Sequence, residues 1–326
     1  MSIPISREDR ASPPVQATRI PCADPATREA LGEVRVASPQ DVDAAVARAR
    51  VAQKAWRSTS FEERREVLRR LIAYTVDHKD EICLTVQRDS GKTRENALMG
   101  EIWPTCEKFR WMIKNGEKYL RPEPISSGLL LHKKARLEYH PLGVIAAIIP
   151  WNYPFQNIVN PVIPALMSGN AIVLKPSEWV AWSSARIVDS LREVIREAGH
   201  DPDLIQAVHG YGPTGAALAR SAVDSILFIG SVHNGRRVVE ASAERVIPVV
   251  MELGGKDAFI VCEDADLEQA VHASLAGCYI NCGQNCVASE RILVYEGIYE
   301  AFEAVSYTHL RAHETKTRIS VAVLWV

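Results

Sequence analysis

The sequence predicts an α/β fold built on a parallel sheet with helices on both faces. From Val144 onward, short apolar runs bounded by Gly, Pro and Asn alternate with stretches whose apolar residues recur at helical spacing, the pattern of repeated βαβ units. The run from Val144 to Ile149 is continuously apolar, as a strand buried on both faces requires. A chain of 326 residues with 47% hydrophobic and 24% charged residues can bury the core such a sheet needs.

Each element has its own warrant. Residues 1–17 carry charges and prolines and read as an arm, while "TRIPCADP" and "LGEVRVAS" read as short strands. A helix follows: Ser38 can cap it, Pro39 suits its first turn, and Asp41 favours its positive end. Its body, "DVDAAVARARVAQKAW", repeats apolar residues at helical spacing. Two more helices are predicted over Phe61 to Asp89 and Arg94 to Tyr119. "LLLHKKARLEYHPLGVIAAIIP" reads as extended, alternating around Lys133 to Tyr139 before the apolar strand. Strands then follow at "NAIVLKPSE", "LIQAVHG", "SILFIGS" and "VIPVVMELGG", with helices over Ser183 to Ala198, near Gly215 to Ser221, and over Gly235 to Ala243.

Composition narrows the function. A net charge of −2 gives no attraction to nucleic acid or an anionic membrane, so a small-molecule substrate is expected. No apolar run reaches about 18 residues, so no membrane span is expected. Seven cysteines are too sparse for a disulfide scaffold and point to a reducing, cytoplasmic setting.

Ligands of such folds bind where strands end. Asn152 follows the first buried strand in "IIPWNYPF", where a turn residue satisfying its own backbone is the plainer reading. Glu252 ends an apolar run in "VVMELGGK"; burial there would raise its pKa toward that of a general base, an ion-paired structural Glu being the alternative. Lys175 and Glu178 end the strand of "LKPSE", and Gly230 and Ser231 form a strand-to-helix turn suited to phosphate. Gly210 to Gly215, "GYGPTG", satisfies G-x-G-x-x-G, but no acidic residue closes the next strand, so it reads as a glycine-rich turn near a cofactor.

Cys278, Cys282 and Cys286 would share a face if helical, yet no C-x-x-C or His-x-x-x-His supports a metal, and none is expected. Gly283 breaks the helical pattern, so "CGQNC" reads as a loop presenting Cys286 as a nucleophile. Cys22, Cys83, Cys106 and Cys262 read as buried small residues.

In this order and with these separations, "PWNYPF", "LKPSE", "FIGSVHNGRR", "MELGGK" and "GQNC" resemble the aldehyde dehydrogenase superfamily from about Ile20 to Ala304. The resemblance implies a Rossmann-like NAD(P)-binding domain over 1–118 and 142–253, bridging or oligomerisation strands over 119–141, and an incomplete α/β catalytic domain over 254–305. It implies Cys286 as nucleophile, Asn152 as oxyanion-hole donor with the Cys286 N–H, and Glu252 as general base. Ile149, Trp151, Lys175, Glu178, Gly212, Gly230 and Ser231 would hold the cofactor, although Val232 stands where the phosphate turn usually has Thr. Tyr153, Asn157 and Asn160, with Asn285 beside the nucleophile, would line the aldehyde entrance. The implied reaction is oxidation of an aldehyde to an acid through a cysteine thiohemiacetal and thioester. NAD is expected over NADP, because Glu178 would repel a 2′-phosphate. The parent protein is expected to be a homodimer or homotetramer.

Two other classes stay open: a carbonyl reductase of ordinary Rossmann type, which lacks Tyr-x-x-x-Lys after Tyr119, Tyr139 or Tyr153, and a non-catalytic binding protein. After Glu303 the family's later segments do not follow, and "SYTHLRAHET" back-translates to a sequence like a sequencing-library adapter. Residues 306–326 are therefore expected to be an artefactual tail, and the chain alone to be inactive.

Overall fold

The computed structural model describes residues 17–130 and 132–312. They form two compact units that meet in sequence at Glu252 and Leu253. Most of the expected arm, residues 1–16, lies outside the described residues.

The first unit opens with β1 (Arg19–Ala23) paired antiparallel to β2 (Ala30–Arg35). Helix α1 (Pro39–Trp56) starts on a capping box: Ser38 Oγ accepts from the Asp41 N–H, and the Asp41 carboxylate accepts from the Ser38 N–H. Ser60 and Glu63 repeat the device at α2 (Phe61–Asp77).

The helix predicted over Phe61 to Asp89 is broken. His78 leaves the helical region (φ −104°, ψ 17°), its ring stacks on Tyr74 with centroids 4.2 Å apart, and α3 (Lys79–Ser90) begins anew. That helix ends at Gly91 with φ 73°, a left-handed stop. The prediction over Arg94 to Tyr119 likewise resolves into α4 (Arg94–Ala97), one π turn over Leu98–Ile102, α5 (Trp103–Asn115) and a 3₁₀ turn. A π turn adds a residue to the helical circuit and so re-aims the side chains around it.

β3 (Glu123–Ile125) and β4 (Ala135–Leu137) form an exposed antiparallel hairpin, with Leu129 99% exposed at its tip. Then come β5 (Val144–Ile149), α6 (Pro154–Met167), β6 (Ala171–Pro176), α7 (Ala181–Glu197), β7 (Ile205–Ala207), α8 (Gly212–Arg220), β8 (Ser225–Gly230), α9 (Val232–Ala243) and β9 (Val249–Leu253). The sheet order is β7-β6-β5-β8-β9, and the ladders β5·β6, β5·β8 and β6·β7 are parallel. Strand order reverses between β5 and β8, so the crevice outside their carboxyl ends is the topological switch point, where such sheets bind ligands.

Sequence reading missed α6. Pro161 and Pro164 lie inside it, each without the N–H of an i→i−4 bond. The helix survives because it is apolar on nearly every side and buried: Ile158, Val162, Ile163 and Leu166 are fully covered, each worth about 2 kcal/mol of transfer free energy. Trp56 ties α1 to it by donating from Nε1 to the Leu166 carbonyl at 3.0 Å. The entry to β5 needs Gly143, with φ 129°, where a Cβ would lie 2.2 Å from Asp224 Oδ2. That carboxylate accepts from the Val144 N–H at 2.7 Å and pairs with Arg50.

The second unit is one βαβ turn: β10 (Asp257–Val261), α10 (Leu267–Tyr279) and β11 (Ser289–Val294), the strands parallel, followed by α11 (Tyr299–Ala312). Its small core holds Val261, Val271 and Phe302. Residues 306–312 continue α11, while 313–326 lie outside the described residues.

Candidate active site

The carboxyl ends of β5, β6 and β8 carry the predicted residues of the first unit. Pairing of Ile149 with Pro176 and of Ile148 with Phe228 puts the ends in step. The turn bearing Asn152, the Lys175–Glu178 segment and the Gly230–Ser231 turn thus share one edge of the sheet, astride the switch point. "GYGPTG" follows β7, the edge strand, instead of the first strand at the switch point. Gly210 is required there by packing: a Cβ would lie 2.0 Å from Thr214 Oγ1. Around Gly212 and Gly215 there is open space.

Asn152 is half-buried and held at both ends. Its Oδ1 accepts from Asn157 Nδ2 at 3.2 Å, which makes Nδ2 the donor end of the amide, and its backbone carbonyl accepts from Lys92 Nζ at 2.9 Å. Lys92 is itself buried, 2.6 Å from Glu101 Oε1 and 4.5 Å from the centre of the Tyr153 ring. Glu101 Oε2 accepts from the N–H groups of Phe155 and Gln156 at 3.0 and 2.9 Å. Burial pushes the Glu101 carboxyl above its ordinary pKa, opposed by Lys92 and these two donors. Lys92 and Glu101 were not singled out from the sequence, where Lys92 falls between two predicted helices and Glu101 within the second.

Lys175 is buried and lies 3.4 Å from Glu178 Oε2. Burial lowers the ammonium's pKa and Glu178 opposes the shift. Beside it, at the end of β7, burial and the Lys175 charge push His209 down to about 4. The ring keeps part of its surface open, yet its Nδ1 is covered and has no hydrogen-bond partner among the described residues. Ser231 caps α9 by accepting from the Asn234 N–H at 3.4 Å, and Val232 is 46% exposed. Ile149 is buried and Trp151 exposed. Tyr153 and Asn157 are buried and Asn160 half-buried, and Asn157's amide donates to Asn152.

Three expectations need correction. Glu252 is exposed, as are Val250 and Leu253, because β9 is an edge strand, so the burial expected of it is not found among the described residues. Cys262 is exposed, since it follows the last residue of β10 into a turn, while Cys22, Cys83 and Cys106 are buried. Finally, the helix ends earlier than the break expected at Gly283: α10 stops at Tyr279, and Asn281, Cys282 and Gly283 all take left-handed φ values of 52°, 59° and 73°. The break therefore begins before Gly283. Cys278 Sγ donates to the Ser289 carbonyl at 2.8 Å, and burial raises its pKa. Cys286 is exposed, with half-buried Asn285 Oδ1 3.7 Å from its sulfur. Among the described residues, no three His, Cys, Asp or Glu side chains are grouped to hold a metal ion, and no helix is long and apolar enough to cross a membrane.

Comparison with known proteins places this geometry. Residues 13–318 match the Aldehyde dehydrogenase family. An aldehyde dehydrogenase-like protein of Schizosaccharomyces pombe is 38% identical over 291 residues, covering 89% of this chain and 56% of that protein. The 4,4′-diapolycopene aldehyde oxidase of Methylomonas sp is 37% identical over 290 residues, covering 88% and 54%. The crystal structure of PnpE in complex with nicotinamide adenine dinucleotide superposes with a TM-score of 0.84 at 32% identity, covering 89% of this chain and 59% of that one; PnpE comes from Pseudomonas sp. WBC-3. The chain thus spans little more than half the length of these relatives. With the family matched over most of its residues, the chain belongs to the aldehyde dehydrogenase family.

Proposed function

We propose that this chain carries the cofactor half and the nucleophile of an enzyme that oxidises an aldehyde to a carboxylic acid with NAD(P)+. The observation that carries the reading is the meeting, at the β5/β8 switch point, of the Asn152 amide, the Lys175–Glu178 pair and the Ser231-capped start of α9. These residues fit a dinucleotide. Lys175 and Glu178 offer a donor and an acceptor to a ribose diol, and the α9 N-terminus offers backbone N–H groups to phosphate. The NAD complex of PnpE supports a nicotinamide dinucleotide as the cofactor.

In this reading the Cys286 thiolate attacks the aldehyde carbonyl carbon, forming a C–S bond and moving the carbonyl electron pair onto oxygen. The Asn152 Nδ2 and the Cys286 N–H donate to that oxyanion. NAD(P)+ held by Lys175, Glu178 and the α9 N-terminus would supply the hydride acceptor for the carbon's hydrogen, and Cys286 would then carry the acyl group as a thioester. Glu252 takes a proton from water as its oxygen attacks the thioester, the C–S bond breaks, and the acid departs. Polar Asn160 and Asn285 suit an aldehyde bearing a polar group. NAD is preferred over NADP through Glu178. The hairpin of β3 and β4 serves subunit contact, in a homodimer or homotetramer of the complete protein.

Residues 1–326 by themselves are proposed to be inactive, because the second unit leaves Ile260, Val287 and Tyr295 62%, 66% and 54% exposed, faces that a longer protein would cover. The test is aldehyde-dependent formation of reduced cofactor by the protein at its relatives' length, beside residues 1–326. Reduction of a carbonyl instead would favour a reductase. Cofactor binding without turnover would favour a non-catalytic protein.

A further inference from the structure

The first turn of α6 has a satisfied set of backbone donors with no cap of its own. Tyr153, its N-cap, makes no side-chain cap, and Pro154 has no N–H. Phe155 and Gln156 both donate to Glu101 Oε2, and Asn157 donates to the Tyr153 carbonyl at 2.9 Å. The cap is thus supplied from 54 residues away in sequence, by a carboxylate that the π turn at Leu98–Ile102 turns inward. The neighbouring residue of that turn, Gly100, lies against the Tyr153 ring so closely that a Cβ would sit 2.7 Å from its Cε1. Lys92 completes the arrangement by donating to Glu101 and to the Asn152 carbonyl.

A buried Lys–Glu pair is a poor device for stability alone, because desolvating both ions offsets much of their attraction. What this pair does, and an apolar pair of equal volume would not, is fix the backbone of Asn152 from one side and the start of α6 from the other. We propose that Lys92 and Glu101 are positioning residues for the oxyanion donor, acting on the reaction only through Asn152. The proposal rests on the oxidation reading above.

The test uses the complete protein at its relatives' length, with Lys92→Met/Glu101→Gln as the main variant. The Gln oxygen can still accept from Phe155 and Gln156, no buried charge is left unpaired, and only the tether to Asn152 is lost. Lys92→Met alone strands a buried carboxylate and is expected to melt lower than the double variant. The double variant should recover stability but keep kcat 10- to 100-fold below wild type, on the order expected for displacement by about 1 Å. The NAD(P)+ dissociation constant should stay within about twofold. In an Asn152→Ala background the double variant should cost less than about threefold, since what it positions is gone.

Recovery of kcat together with stability would overturn the proposal and leave the pair merely structural. So would an equal fold loss in the Asn152→Ala background. Failure of the oxidation reading shows elsewhere: a folded wild type that binds NAD(P)+ without aldehyde-dependent reduction overturns that reading, and this one with it.

Discussion

Asn157 Nδ2 donates to Asn152 Oδ1 across 3.2 Å, so a buried amide aims a half-buried one. An oxyanion donor must present nitrogen, not oxygen, and an amide free to flip would do so only part of the time. Asn157→Leu is expected to lower kcat about tenfold while leaving cofactor binding unchanged. Asn152→Ala should cost on the order of 100- to 1000-fold. Steady-state kinetics of both variants against one aldehyde check the order, and equal losses in KM alone would place Asn157 in substrate binding.

Glu178 lies beside Lys175 at the end of β6 and steadies the lysine; under the proposed function its carboxylate would repel a 2′-phosphate. Glu178→Gln should raise the ratio of kcat/KM for NADP over NAD on the order of tenfold. A preference for NADP in the wild type would show that Glu178 does not face the ribose.

His209 sets a pH dependence of stability. Its folded pKa, near 4, lies below the unfolded value of 6.5, so the unfolded chain binds the extra proton between them. The stabilisation is fully present above pH 6.5 and is lost as pH falls toward 4, by at most about 3 kcal/mol. The stability of wild type relative to His209→Leu, read from denaturant midpoints, should fall as pH drops through this window. Parallel curves would show that the imidazole does not remain neutral in the folded protein.

Thiol labelling checks burial directly. Cys22 and Cys83 are buried and pushed up to about 11, chiefly by desolvation, while Cys262, Cys282 and Cys286 are exposed. At pH 8 a maleimide should modify the exposed three first. Early modification of Cys83 would mean that the packing of α3 opens readily.

Much of this layout was legible because strand ends are punctuated. Pro176 and Gly230 close apolar strands, and Ser38, Ser177 and Ser231 accept from the turns they begin. Helix α6 was hidden by Pro161 and Pro164, whose local penalty is outweighed by burial that only the tertiary fold reveals. Glu252 was misjudged for a related reason: an apolar run does not tell a central strand from an edge one. The Lys92–Glu101 pair gave no periodic signal, since it depends on a π turn at Leu98–Ile102 that apolar spacing does not announce.

The central claim is that Cys286 is the nucleophile of aldehyde oxidation. It is tested most directly by the absorbance of reduced cofactor formed on adding aldehyde to the protein at its relatives' length and to its Cys286→Ala, Cys278→Ala and Cys282→Ala variants. The account predicts that the signal vanishes in Cys286→Ala and largely survives in the other two. Comparable losses at all three positions, restored by added zinc, would contradict it in favour of a metal site, and turnover undiminished in Cys286→Ala would remove the nucleophile from the account.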